Sequence, residues 1–258
     1  MTLEGRCAVV TGAGRGIGAT VTEALAGAGA RVCLAARTLA EIEDVAARLR
    51  SAGAEAWALG CDVTDEGEVE ALARGAVDAM GRVDILVNNA GVASAAPLAR
   101  VTLEEWRRVM AVNATGSFLC TRAFLGAMVE RGWGRVVNVA SVAGLTAGRY
   151  IAAYAASKHA LLGLTRAVAA EVAGTGVTVN AVCPGYVDTP MTRETVARIV
   201  ARTGRSEDEA LASVMDHAFQ TRLIRPEEVA HAVLALAADE ASGINGDAWV
   251  VDGGALKR

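Results

Sequence analysis

The chain has 258 residues, with 25 Lys and Arg against 29 Asp and Glu, which gives a formal net charge of −4 at pH 7. This length is enough for one large α/β domain or for two small ones. The acidic balance and the absence of a Lys/Arg cluster argue against a nucleic-acid partner. Hydrophobic residues make up 53% of the chain, but no run approaches the ~18–20 apolar residues that a membrane span needs.

Cysteine and histidine usage argues against disulfide and metal chemistry. The cysteines are scattered without a CxxC pair, and we expect small buried thiols. They are Cys7, Cys33, Cys61, Cys120 and Cys183. The three histidines do not fall at metal-ligand spacing, so no metal site is expected. The first six residues include an acid and lead directly into a strand-like run, unlike a secretory signal, and we expect a reducing, cytoplasmic location.

Short β-branched runs alternate with longer helical stretches along the chain. The predicted strands are Cys7–Val10, Arg31–Ala35, Glu55–Gly60, Ile85–Asn88, Arg135–Val139, Val177–Val182 and Ala248–Val251. The predicted helices lie near 17–28, 39–51, 66–80, 102–130, 151–173 and 226–238. This repeated βαβ order predicts an α/β fold, a doubly wound parallel sheet with helices on both faces. No linker divides the chain, so we expect one domain over 1–258, with a helical lid inserted at about 189–225.

A glycine-rich turn, TGAGRGIG at residues 11–18, follows the first strand and opens the first helix. Such a turn brings backbone N–H groups and a helix N-terminus up to a pyrophosphate. A plain strand-to-helix connection is the alternative, but the position after the first strand favours nucleotide binding. The candidate cofactor residues are Gly12, Gly14, Arg15, Gly16, Ile17 and Gly18.

The residues that end the second strand favour a phosphorylated cofactor. An acid there would bind a ribose 2′-hydroxyl and repel a 2′-phosphate, whereas this chain has Ala36 followed by Arg37. Arg37 and Arg15 are suited to clamp a 2′-phosphate, or they are two solvated surface arginines. We therefore expect NADPH, with NADH as the other possibility. Asp62, past the third strand, either accepts from the adenine amino group or caps a turn.

Tyr154 and Lys158 lie four residues apart, and Ser141 precedes the tyrosine by thirteen. On a helix the first two side chains share one face. An ammonium beside a phenol lowers the tyrosine pKa from about 10, which would make Tyr154 a useful proton donor. Ser141, at a strand end, would hydrogen-bond the same substrate oxygen. The alternative is an ordinary Tyr/Lys pair on a solvated helix face.

In these motifs the chain resembles the short-chain dehydrogenase/reductase family, in its single-domain branch with TGxxxGxG and YxxxK. The likeness runs from Thr11 to Gly254 and includes the sequences NNAG at 88–91, PGYVDTP at 184–190 and VDGG at 251–254. The resemblance implies a seven-stranded Rossmann sheet and a homotetramer of two-fold symmetry.

The resemblance also implies a role for each matching residue. Tyr154 would be the general acid/base, Ser141 would polarise the substrate carbonyl, and Lys158 would bind the nicotinamide ribose. Asn113 would hold, through its backbone, a water that links Lys158 to solvent. The remaining implied cofactor contacts are Val63, Asn89, Ala90, Gly91, Pro184, Gly185, Val187 and Thr189.

The stretch 175–191 is similar to bacterial β-ketoacyl and polyketide ketoreductases and to 3-hydroxyacyl-CoA and 3-hydroxybutyrate dehydrogenases. We therefore expect NADPH-dependent reduction of a 3-oxoacyl thioester, on CoA or a carrier protein, or of a related ketone. The alternatives are an NAD-dependent alcohol or 3-hydroxyacyl-CoA dehydrogenase and a non-catalytic nucleotide-binding module. Arginines of the lid either meet a CoA or phosphopantetheine phosphate or form a solvated face with the interleaved acids. They are Arg193, Arg198, Arg202, Arg205 and Arg222.

Overall fold

Parallel strands form the centre of the structure, a computed structural model that describes residues 1–217 and 220–256. The strands are β1 (Cys7–Thr11), β2 (Arg31–Ala36), β3 (Ala56–Gly60), β4 (Ile85–Asn88), β5 (Gly134–Val139), β6 (Val177–Pro184) and β7 (Ala248–Val251). They form one seven-stranded sheet in the order β3-β2-β1-β4-β5-β6-β7, with parallel pairing between neighbours. The strand order reverses between β1 and β4, which is where nucleotides bind in such sheets. The predicted seven-stranded parallel sheet is confirmed.

Helices cover both faces of this sheet. They are α1 (Gly16–Gly27), α2 (Leu39–Ser51), α3 (Glu66–Met80), α4 (Leu103–Met110), α5 (Gly116–Arg131), α6 (Ala152–Glu171), α7 (Pro190–Thr203), α8 (Glu207–His217) and α9 (Pro226–Ala237). Among the helices in the described part of the chain, none has the length and apolar character that crossing a membrane requires.

The core consists of two apolar layers separated by the sheet. Successive residues of a strand point to opposite faces, so Ala8 and Val10 pack with α1, α2 and α9, while Cys7 and Val9 pack with α3, α5 and α6. Because both faces are covered, the inner strands are buried along their whole length, as their continuous apolar runs predicted. The five cysteines are buried free thiols, as expected.

The helix predicted over 102–130 is interrupted, and this prediction needs correction. Between α4 and α5 the chain forms a π-helical turn, Ala111–Thr115, around the fully buried Asn113. The turn places the Asn113 side chain where its amide can bond the loop after β4 and helix α6. Those partners are distant in sequence, and π-turns of this kind often accompany functional sites.

The predicted insertion contains α7 and α8, and it begins and ends at neighbouring segments. Asp188 N donates to Ile224 O at 2.9 Å, and Ile224 N donates to Tyr186 O at 2.9 Å. Pro190 occupies the first turn of α7, and Gly204 ends that helix in the left-handed conformation, with φ 70°. These contacts tie the base of the insertion to the end of β6, beside the carboxyl edge of the sheet.

Candidate active site

A cleft of about 1470 Å³ runs along the carboxyl edge of the sheet. Its lining comes from the glycine turn, from the segments after β2 to β6, and from α7. The predicted cofactor residues all contribute to this lining: Gly12, Gly14, Arg15, Gly16, Ile17, Gly18, Arg37, Asp62, Val63, Asn89, Ala90, Gly91, Tyr154, Lys158, Pro184, Gly185, Val187 and Thr189. Ser141 lines it too, whereas Asn113 is buried behind the cleft wall.

The glycine turn closes tightly on itself. Gly12 and Gly16 have φ values of 64° and 54°, which favour glycine. A Cβ on Gly18 would overlap the carbonyl oxygen of Gly12 and the Asn89 amide nitrogen. Asn89 Nδ2 fixes this geometry by donating to Thr11 O at 2.9 Å and Gly12 O at 3.0 Å. The first turn of α1 carries no acid and no side-chain cap, so its N-terminus is suited to a pyrophosphate.

Arginines stand at the adenosine end of the cleft. Arg37 NH1 lies 3.9 Å from Asp62 Oδ2, and Arg15 NH1 lies 3.4 Å from Glu194 Oε1 on α7. Asp62 Oδ1 also accepts from the backbone N (2.9 Å) and hydroxyl (2.8 Å) of Thr64, so the carboxylate caps a turn. Burial raises the pKa of Asp62, but the Thr64 hydrogen bonds and the Arg37 charge outweigh it and lower the pKa overall.

The loop after β4 forms the floor of the cleft. The Thr11 hydroxyl accepts hydrogen bonds from Asn89 N at 3.0 Å and from Ala90 N at 3.1 Å, which hold this loop against β1. A Cβ added to Gly91 would lie 3.8 Å from Lys158 Nζ. The floor thus connects the glycine turn to the residues predicted to be catalytic.

Ser141, Tyr154 and Lys158 meet at the inner end of the cleft. Tyr154 and Lys158 lie on the same face of α6, and the Lys158 ammonium is 5.8 Å from the centre of the Tyr154 ring. The Ser141 hydroxyl follows β5, accepts from Ala143 N at 3.1 Å and hydrogen-bonds Tyr154. Lys158 is buried and donates from Nζ to Val139 O at 2.8 Å.

The expected lowering of the Tyr154 pKa by Lys158 is wrong for this arrangement. Burial raises the pKa of Tyr154, the hydrogen bond with Ser141 lowers it, and the nearby Tyr186 and Cys183 raise it. Burial also lowers the pKa of Lys158 to about 8. Because the ammonium is buried and bonds to a backbone carbonyl, and the phenol is surrounded by protein on the cleft wall, desolvation is the largest effect on the pKa of each group.

Asn113 joins the floor of the cleft to the catalytic helix. Its Oδ1 accepts from Val92 N, and its Nδ2 donates to Val92 O and to Ser157 Oγ, each at 2.9 Å. Ser157 Oγ in turn donates to Tyr154 O at 2.7 Å. Sequence reasoning missed Ser157, although its position directly before Lys158 in YAASK was a usable signal. The water predicted at the Asn113 backbone stays a prediction.

The end of β6 is held by a residue that no motif in the sequence singles out. Gln220 Oε1 accepts from Tyr186 N at 2.9 Å, and Gln220 Nε2 donates to Tyr186 O at 2.7 Å. A Cβ on Gly185 would lie 2.5 Å from Gln220 Oε1, so the contact requires glycine. Thr189 approaches the glycine turn, with its Cγ2 3.3 Å from where a Cβ on Gly16 would stand.

These features fit an extended dinucleotide. The glycines of the turn line the cleft, the N-terminus of α1 beside them is uncapped, and guanidinium groups stand at one end of the cleft. At the other end a hydroxyl, a phenol and an ammonium converge. Groups that can bind phosphate lie at one end of the cleft, and a group that can donate a proton lies at the other. This arrangement suits a nicotinamide cofactor bound beside a substrate oxygen.

Comparison with known proteins gives the same answer. Residues 6–199 match the family model described as short chain dehydrogenase. D-beta-hydroxybutyrate dehydrogenase of Rhizobium meliloti (strain 1021) is 38% identical over 254 residues, covering 96% of this chain and 98% of that protein. A 3-oxoacyl-acyl-carrier-protein reductase of Synechocystis sp. is 38% identical over 254 residues, covering 98% of this chain and 97% of that protein.

A solved structure agrees with this. The crystal structure of a variant of actinorhodin polyketide ketoreductase with NADPH superposes with a TM-score of 0.93 at 39% identity, over 97% of each chain. The match therefore extends beyond the nucleotide-binding half to the whole sheet and the insertion. The predicted family is confirmed: the chain belongs to the short-chain dehydrogenases and is an NAD(P)-dependent oxidoreductase.

Proposed function

We propose that the protein uses NADPH to reduce the keto group of a 3-oxoacyl thioester, or of a related ketone, to a secondary alcohol. The observation that carries this proposal is the convergence of Ser141, Tyr154 and Lys158 at one end of a cleft whose other end presents Arg15 and Arg37. The ketoreductase relatives support the same choice of substrate class.

The chain's own residues supply cofactor binding. The glycine turn and the N-terminus of α1 would hold the pyrophosphate, and Arg15 and Arg37 would hold a 2′-phosphate. Lys158 would bind the nicotinamide ribose, and Val187 and Thr189 would contact the carboxamide. When bound, the reduced nicotinamide supplies the hydride.

The protein would also supply the proton that the reduced carbonyl oxygen takes up. Ser141 and Tyr154 would both donate hydrogen bonds to the carbonyl oxygen, where negative charge develops, and Tyr154 would transfer its proton to that oxygen. Burial raises the pKa of Tyr154, so the phenol is protonated before reaction, which suits reduction. Lys158, with a pKa of about 8, is mostly protonated at neutral pH and would donate hydrogen bonds from its ammonium to the nicotinamide ribose.

A second candidate is NAD-dependent oxidation of a 3-hydroxyacyl-CoA or another alcohol. The specific observation in its favour is the 38% identity to a D-beta-hydroxybutyrate dehydrogenase. Oxidation would use Tyr154 as the base, the reverse of its role in reduction, and a preference for NADH over NADPH would favour this candidate. A non-catalytic nucleotide-binding module is the remote candidate, and it would have no need for the complete set of Ser141, Tyr154 and Lys158.

The proposal includes a cytoplasmic homotetramer. Large apolar side chains exposed on α4 and α5 support self-association, since exposed apolar surface commonly marks interfaces. They are Leu103, Trp106 and Phe118, with exposed fractions of 61%, 37% and 41%. Light scattering on the purified protein measures the assembly directly.

The function is tested by following NADPH absorbance with a panel of 3-oxoacyl thioesters and neutral ketones. Wild type should consume NADPH with at least one thioester and prefer NADPH to NADH. Tyr154→Phe should lose about 10²–10⁴-fold in kcat while its affinity for NADPH stays within about twofold, since the phenol contributes a proton and little binding energy. Turnover by Tyr154→Phe at the wild-type rate, or a preference for NADH, would contradict the proposal.

A further inference from the structure

Three segments meet around the outer opening of the cleft. Arg202 NH1 on α7 donates to Ala95 O at 3.5 Å, and Ala96 N donates to Tyr150 O at 2.8 Å. Tyr150 has a φ of 69°, the one positive value among the described non-glycine residues. These contacts connect the loop after β4, the loop before α6 and the lid helix. We call this opening the mouth.

Four arginines of these segments line the cleft at the mouth: Arg100, Arg149, Arg198 and Arg202. Arg198 donates to Thr195 Oγ1, Arg149 stands over the Tyr150 ring, and all four are exposed. Within residues 1–217 and 220–256, no carboxylate forms an ion pair with any of them. The hydrogen bonds from Arg108, and the charge of Arg198, lower the pKa of Glu105, so this carboxylate lies near Arg198 without forming an ion pair with any of the four arginines.

The carboxylates that line the cleft are mostly engaged elsewhere. They are Glu41, Asp62, Glu194, Asp216 and Asp252. Asp62 and Glu194 pair with Arg37 and Arg15 at the adenosine end, where Glu41 also packs against Gly14. Asp252 accepts from two backbone N–H groups, of Gly254 and Leu256. Asp216, on α8, is the remaining acid of the lining, and Glu105, outside the lining, is paired with Arg108 of the cleft wall.

The structure divides the lid arginines into those that line the cleft and those that do not, and Arg205, whose charge acts on Glu209, belongs with the second group. Arg193 pairs with Asp188 at 3.0 Å, and Arg222 pairs with Glu228 at 2.7 Å, and neither lines the cleft. Arg198 and Arg202 lie on the same helix as Arg193 but face the cleft without such partners. The solvated, acid-interleaved face expected from the sequence therefore describes Arg193 and Arg222 but not Arg198 and Arg202.

We infer that Arg100, Arg149, Arg198 and Arg202 form a phosphate-binding rim, which binds the phosphate of the group that carries the acyl thioester. Guanidinium groups bind phosphate oxygens through paired, charge-assisted hydrogen bonds. A rim at the mouth would hold the phosphate outside while the acyl chain extends inward to Ser141 and Tyr154. This inference rests on the proposed function. A pantetheine phosphate is present both in coenzyme A and in a carrier protein's prosthetic group, and the experiment separates these two sources.

The test compares acetoacetyl-CoA with S-acetoacetyl-N-acetylcysteamine, a thioester of the same acyl group without phosphates. In the double variant Arg198→Gln/Arg202→Gln, KM for acetoacetyl-CoA should rise about tenfold or more with kcat retained, because two charge-assisted contacts are lost. KM for the neutral thioester should change less than about twofold. Arg193→Gln, on the same helix but outside the cleft, is the matched control and should leave both KM values unchanged.

Further arms identify the source of the phosphate. With an acetoacetyl carrier protein, an equal rise in KM supports the pantetheine phosphate that both substrates share, and a rise confined to acetoacetyl-CoA supports the additional phosphates of coenzyme A. The wild-type KM for acetoacetyl-CoA should also increase with salt, while that for the neutral thioester should not.

Other results would overturn the inference while leaving the proposed function intact. These are an unchanged KM for acetoacetyl-CoA in the double variant, an equal rise for the neutral thioester, or wild-type turnover of the neutral thioester alone. If wild type reduces neither thioester but reduces a neutral ketone of the panel, the rim inference fails and the ketone reduction of the proposed function stands; if it reduces no ketone or thioester of the panel, the proposed function fails as well.

Discussion

Replacement of Arg37 by glutamine is expected to weaken NADPH binding selectively. A charge-assisted hydrogen bond to a phosphate contributes about 1.5–3 kcal/mol. Arg37 is 66% exposed and lies 3.9 Å from Asp62, so giving up this surface ion pair costs only about 0–1 kcal/mol. The net loss in Arg37→Gln is therefore about 0.5–3 kcal/mol, which corresponds to a roughly 2–150-fold higher Kd for NADPH.

Fluorescence titration of the purified protein with NADPH and with NADH provides the assay. NADH has no 2′-phosphate, so its Kd should stay within about twofold in the variant. Arg48→Gln is a matched control, because Arg48 is similarly exposed on α2, pairs with Glu23 and does not line the cleft. An unchanged Kd for NADPH, or an equal loss for NADPH and NADH, would refute the role assigned to Arg37.

Three other perturbations test the local structure. Gly18→Ala should destabilise the fold by about 1–3 kcal/mol and weaken NADPH binding, because the new Cβ meets Gly12 O; unchanged urea unfolding and titration would contradict this. Ser157→Ala should lower kcat and cost about 1 kcal/mol, since Asn113 loses its bond to α6; wild-type kcat and stability would disprove the link. Burial lowers the pKa of Lys158 from 10.5 to about 8. Between pH 8 and 10.5 the lysine is more protonated in the unfolded chain than in the folded protein. The free energy of unfolding of the wild type, relative to that of Lys158→Met, should therefore rise by up to about 1.4 kcal/mol per pH unit. A difference between their urea midpoints that does not change with pH would contradict this.

The fold was predictable because its determinants are local. Apolar runs such as those of β1 and β4 are buried on both faces of the sheet, and this burial is readable from composition alone. The glycine turn and the four-residue spacing of Tyr154 and Lys158 are equally local, since a strand-to-helix turn and one turn of helix place these residues.

What could not be predicted depends on contacts between distant segments. The π-turn follows from the bonds of Asn113 to Val92, 21 residues away, and to Ser157, 44 residues away. Gln220 reaches Tyr186 across 34 residues. The direction of the Tyr154 pKa shift depends on how deeply α6 is packed and not on the spacing to Lys158. Spacing along a helix fixes a shared face but not the dielectric around it.

The arginines at the two ends of the cleft differ in whether they pair with carboxylates, and this difference should affect how strongly salt weakens phosphate binding. At the adenosine end, Arg15 and Arg37 already face Glu194 and Asp62, so an arriving phosphate must replace a carboxylate partner. At the mouth, Arg198 and Arg202 have no carboxylate partner in the described part of the chain, so a phosphate would add a new attraction. Added salt weakens the contacts between arginine and phosphate at both ends of the cleft. At the adenosine end it also weakens the arginine–carboxylate pairs that the phosphate must replace, and this offsets part of the loss in phosphate binding. Substrate affinity should therefore depend more steeply on ionic strength than NADPH affinity does.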